Sequence, residues 1–128
     1  MNWNMILAVG AGGALGAIGR YIVAGKVARL IGGSLPLGTL AVNVIGSLCM
    51  GLLIELVALR LNLSMQMQAF LAVGLLGGFT TFSSFSMEVV LLMERNNYSA
   101  AFSYALGSVV LSVVGLFAGM YFVRAVSS

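Results

Sequence analysis

Four long apolar runs, separated by short polar breaks, decide what this chain can fold into. They extend from about Met5 to Ile31, Leu37 to Leu59, Met67 to Val90 and Ala100 to Val123. Each exceeds the roughly 20 residues that carry a helix across a hydrocarbon core. The breaks are GGSLP at 32–36, LNLS at 61–64 and ERNNYS at 94–99. The single proline, Pro36, lies in the first break, where a helix start tolerates it. Strands would have to close into a barrel of alternating polarity, and these runs do not alternate. The expected fold is an all-α integral membrane protein: one domain, residues 1–128, of four transmembrane helices.

Composition narrows the function classes. Charged residues make up 7% of the chain, whereas a soluble domain carries roughly a quarter. So few charges cannot wet a surface, which leaves the lipid bilayer as the solvent. The net charge of +3 is scattered singly, without the basic run that nucleic acid would need. One cysteine, Cys49, excludes an intrachain disulfide. There is no histidine, and Glu55, Glu88 and Glu94 are the only acids. A Ser–His nucleophile is therefore impossible and zinc would lack its usual ligands, so no enzyme is expected. No Lys or Arg precedes Arg20, as a secretory signal would require, so the first run reads as a retained span.

Four spans put both termini on one side of the membrane. That side carries Arg60 and Arg124; the other carries Lys26, Arg29 and Arg95. Cationic loop residues set orientation, and two against three is nearly balanced. The chain is expected either to insert in both orientations or to take one set by Lys26 and Arg29. Gly12 and Gly16, like Gly115 and Gly119, stand four apart. Small residues at this spacing let helices approach closely in lipid, which is a packing signal.

Polar residues are arranged in stripes. Thr39, Asn43, Ser47, Gly51 and Glu55 fall every four residues along the second span, and Tyr104, Ser108 and Ser112 do so along the fourth. A step of four drifts only about 40° around a helix, so each set winds along one face. Such stripes either hold helices together or line a polar track. Asn43 would be costly against lipid and is expected to face protein or water. Asn43, Tyr104, Ser108 and Ser112 all donate hydrogen bonds without carrying charge. That suits a permeant anion, which must shed water yet leave again.

The third span is the anomaly. GLLGGFTTFSSFS at 74–86 places two adjacent glycines and a run of hydroxyls in the middle of a membrane crossing. Gly77 and Gly78 weaken a helix, and Thr80, Thr81, Ser83, Ser84 and Ser86 can satisfy backbone freed by a break near its middle. Irregular backbone at membrane depth is tolerated only inside protein or beside a cavity, and its carbonyls can hold a cation. Phe82 and Phe85 share a face if the chain is helical from Ser83 onward, and the positive edges of their rings attract an anion weakly.

With these residues the chain resembles the Fluc (CrcB) family of fluoride channels. The likeness covers essentially the whole chain. It rests on Arg20–Tyr21, on Gly38-Thr39-Leu40 with Asn43, on G-x-x-G-G-x-T-T-F-S-x-F-S across Gly74 to Ser86, on Glu88, and on the Tyr104, Ser108, Ser112 stripe. The resemblance implies passive export of toxic fluoride across the bacterial inner membrane. It implies an antiparallel dual-topology homodimer, two copies in opposite orientations enclosing two fluoride pathways. It implies that Asn43, Phe82, Phe85, Tyr104, Ser108 and Ser112 line the path. Main-chain carbonyls of Gly77 and Thr80 would hold a structural Na+ that is not transported. Arg20, Thr39, Thr81, Ser84 and Glu88 take supporting roles, Arg20 near a vestibule. The ion's identity comes from the resemblance; nothing in the spacing excludes chloride.

Two supporting residues keep alternative readings. Glu88 either anchors the hydroxyls of Ser84 and Thr81, or is protonated by burial, or reaches the membrane edge. Arg20 either snorkels from the first span or captures anions at a mouth. The alternative function is a small four-span proton-coupled multidrug exporter. Such proteins rely on a buried glutamate in their first span, where this chain has no acid. A purely structural or lesion-forming protein would need neither an aligned Asn43 nor a broken third span.

Overall fold

The computed structural model describes residues 2–128. Four helical spans, Trp3–Ile31, Leu37–Leu59, Met65–Glu94 and Tyr98–Ser127, are long and apolar enough to cross a membrane. Three begin two residues before their apolar runs because polar side chains start them. Asn2 Oδ1 accepts the Asn4 N–H at 2.9 Å, Ser64 Oγ accepts the Met67 N–H at 3.1 Å, and Asn97 Oδ1 accepts the Ala100 N–H at 3.3 Å. Hydropathy marks where lipid ends, whereas a helix ends where its free N–H groups find acceptors. Between the first two spans Gly32 and Gly33 adopt φ of 67° and 89°, which favours glycine.

The spans pack in two pairs, first against third and second against fourth. Glycines make both contacts close. A methyl on Gly16 would collide with the Leu75 carbonyl and stand 2.8 Å from the Phe79 nitrogen. A methyl on Gly119 would collide with the Leu48 carbonyl and stand 2.8 Å from the Leu52 nitrogen. In each case the obstacle is backbone, which cannot rotate away. Gly119→Val should therefore force the second and fourth spans apart. Overpacking of this kind costs about 1–3 kcal/mol or more, read as a lower melting temperature of the purified protein; an unchanged one would show that the contact is loose.

The third span contains the expected break, although not at its glycines. Gly77 is helical at φ/ψ of −62°/−38°, preceded by wide π-helical turns over Ala69–Leu76. Thr80 and Thr81 are extended, at −85°/159° and −150°/117°, and the helix resumes as Phe82–Glu94. Gly78 instead serves packing: a methyl there would lie 2.6 Å from the Gly13 carbonyl oxygen. The paired glycines bring the first span in, and the threonines interrupt the helix.

Glu55, at the end of the second-span stripe, is buried and forms a two-pronged ion pair with Arg124. Arg124 Nε donates to Oε2 at 3.0 Å and Nη2 to Oε1 at 3.4 Å, while the guanidinium lies 5.2 Å from the centre of the Tyr121 ring. Arg60 Nε donates to Ser127 Oγ at 3.3 Å, bringing the loop after the second span to the C-terminal end of the fourth.

Candidate ion pathway

The site grows out of the break. Two extended residues in mid-span expose peptide groups that lipid cannot satisfy. Asn43, reaching across from the second span, takes two of them. Its Oδ1 accepts the Thr81 N–H at 2.8 Å and its Nδ2 donates to the Thr81 carbonyl at 3.1 Å. Flipping the amide would set donor against donor and acceptor against acceptor. Thr81 Oγ1 accepts the Ser84 N–H at 3.1 Å, capping the second half of the span. Thr80 donates both its N–H and its hydroxyl to the Leu76 carbonyl, each at 3.1 Å. Arg20 Nε donates to the Gly78 carbonyl at 3.1 Å.

These bonds leave the carbonyls of Gly77 and Thr80 outside the helical ladder. In an unbroken helix Gly77 would accept from the Thr81 N–H, and Thr80 from the Ser84 N–H. Those two N–H groups are bonded to Asn43 and to the Thr81 side chain instead.

Beside the break lies an open groove of about 270 Å³. Asn43, Phe82, Phe85, Ser108 and Ser112 line it, together with Ser47, Thr80 and Thr81. Ser47 belonged to the second-span stripe; its place four residues after Asn43 was the signal for including it. Ser108 Oγ is buried and has no hydrogen-bond partner among the described residues. Tyr104 stands behind the groove, buried. Its ring continues an aromatic ladder: Phe82 and Phe85 centroids are 5.6 Å apart, and those of Phe85 and Tyr104 5.5 Å, tilted by 43° and 40°.

A second recess of about 370 Å³ gathers Arg20, Thr39, Thr81, Ser84 and Glu88. Thr81 borders both recesses. Glu88 does not bond the Thr81 hydroxyl, which is engaged by Ser84 and Ser83. It accepts the Tyr104 hydroxyl at 3.4 Å, tying the third span to the fourth. Arg20 does more than line its recess: it braces the break through Gly78, a role the sequence alone did not suggest. The signal was a lone cation within an apolar span, which must find acceptors inside the protein.

Glu55 leaves the polar stripe. Its pairing with Arg124 places it in the contact between the second and fourth spans, and it is not among the groove residues. The face beyond the groove is open on this chain. Phe82 is 77% exposed, and Gly77 and Ser83 are exposed with it.

Comparison with known proteins shows the family. The family described as CrcB-like protein, Camphor Resistance (CrcB), matches residues 7–120. The chain is 49% identical over 124 residues to fluoride-specific ion channel FluC 1 of Nitrobacter hamburgensis, covering 97% of this chain and 98% of the relative. It is 51% identical over 115 residues to the fluoride-specific ion channel FluC of Agrobacterium fabrum, covering 90% and 92%. It is 50% identical over 121 residues to that of Rhodospirillum centenum, covering 94% and 96%. Matched along nearly its whole length by a family and by relatives of equal size, the chain belongs to the CrcB family.

Proposed function

We propose that the chain is a passive fluoride channel, a multi-pass protein of the bacterial inner membrane that lowers fluoride in the cytoplasm. The observation that carries this is the buried Ser108 hydroxyl, unpartnered beside an open groove. A buried polar group without a partner is costly, and here it belongs to a residue that lines the same groove as Ser112 and Asn43. Asn43 spends one N–H on Thr81 and keeps a second. These neutral donors replace part of the water shell of a small anion, and the ring edges of Phe82 and Phe85 attract it without holding it. Among the described residues no fixed cation lines the groove, which leaves a bound anion free to depart.

The functional unit is two copies in opposite orientations. The exposure of Phe82 and of Gly77, whose carbonyl is freed from the ladder in mid-span, supports it, because lipid cannot satisfy such backbone. The nearly balanced loop cations support insertion both ways. With the open face covered by the second copy, each groove becomes enclosed.

The freed carbonyls of Gly77 and Thr80 fit a hard monovalent cation, being neutral oxygen donors released from the ladder. A structural Na+ would hold them in the dimer and relieve their mutual repulsion; it is not transported. Thorough removal of sodium should therefore impair both fluoride flux and dimer assembly, followed by efflux and by size-exclusion chromatography. Full activity and an intact dimer without sodium would disprove that site.

The function itself is tested in a bacterium deprived of its own fluoride exporter. Expression of this chain should restore growth in fluoride. Resistance to cationic drugs with no effect on fluoride would instead identify a proton-coupled exporter.

A further inference from the structure

Asn43 occupies a position between two functions. The residue lines the groove, and both heteroatoms of its amide are bonded to the break of the third span. The second set of bonds has a consequence for the carbonyls. Thr81 N–H is the group that would close a helical turn on the Gly77 carbonyl. Asn43 Oδ1 takes it at 2.8 Å instead. The carbonyl of Thr81 is held at 3.1 Å by Nδ2 of the same amide. Both polar groups of one extended residue are thus fixed by a single planar side chain. The second span is pressed against this point, since a methyl on Gly46 would collide with the Thr80 side chain.

We propose that Asn43 is a positioning residue for the cation site: by holding both peptide groups of Thr81, it keeps the Gly77 carbonyl out of the helical ladder and available to a monovalent cation. The inference rests on the cation site of the proposed function and adds a residue that does not touch the cation. It couples the pathway to the site through one side chain. Losing the amide lets the Thr81 N–H return toward Gly77, and the site loses an oxygen.

The donor and acceptor halves of the amide separate the two roles. Asn43→Ala removes both. Asn43→Asp keeps the acceptor for the Thr81 N–H, so the Gly77 carbonyl stays free, while a negative charge enters the groove. The test is a sodium titration of the purified full-length protein, reading the sodium concentration that half-restores dimer stability. Lithium and potassium serve as comparison cations.

The expected result is a shift of at least tenfold to higher sodium for Asn43→Ala. Asn43→Asp should stay within about threefold of the native value or bind sodium more tightly. A residue that only lines the pathway would leave both half-points at the native value, which overturns the inference. If Asn43→Ala does not assemble, Asn43→Ser, too short to hold both peptide groups of Thr81, takes its place: a shift of tenfold or more to higher sodium is expected, and a native half-point overturns the inference. A native protein whose dimer is indifferent to sodium overturns the cation site itself, and this inference with it. A sodium-dependent native protein with an unshifted Ala variant overturns only the role of Asn43.

Discussion

An Asn43→Asp channel is expected to pass fluoride roughly a thousandfold more slowly than the native chain. The substitution is nearly isosteric and retains the acceptor for the Thr81 N–H, although it gives up the donor to the Thr81 carbonyl. What changes is the field in the groove. A carboxylate about 4 Å from a permeating anion opposes it by about 4 kcal/mol at an effective dielectric constant near 20. Each 1.36 kcal/mol added to a barrier is a factor of about ten in rate. The measurement is fluoride efflux from liposomes, with the dimer verified beforehand by size-exclusion chromatography. Normal flux would place residue 43 off the path.

The second large effect is expected at Phe85. Its ring lies between Phe82 and Tyr104 and borders the groove. An aliphatic side chain in its place fills similar space and offers no positive ring edge. If the lost attraction raises the barrier by about 1.4 kcal/mol, Phe85→Ile slows fluoride roughly tenfold. Because the change stays apolar, the assembled dimer should persist. Phe82→Ile is expected to act in the same direction. Native efflux from either variant would contradict a pathway past the rings.

Much of this architecture was legible before any coordinates. The four spans follow from apolar runs too long for anything else. The break followed from hydroxyls crowded into mid-membrane, where unpaired backbone needs help. Asn43 was drawn inward by the cost of an amide in lipid. The details that escaped depend on which neighbour reaches which atom. Gly77 and Gly78 are poor helix formers by propensity, yet they stay helical because the first span needs their bare backbone for contact. Thr80 and Thr81 break the helix instead, since Asn43 and the Thr81 hydroxyl supply substitutes for the ladder.

Glu55 and Arg20 show the same limit. Period-four spacing placed Glu55 on the polar stripe, but the stripe drifts around the helix and its far end meets the fourth span. There Arg124 neutralises it. Arg20 looked like a membrane-edge cation or an anion trap. Its bond to Gly78 spans 58 residues of sequence and follows only from the packing of the first span on the third. Tyr104 and Glu88 likewise meet across two helices, a contact no local pattern encodes.

Passive efflux of fluoride and chloride from liposomes holding the purified protein tests the central idea most directly. Uncharged donors and ring edges beside a broken helix should release fluoride rapidly, leave chloride inside, and do so without a proton gradient. Fluoride retained in the vesicles, or moving only when protons move with it, would contradict the account.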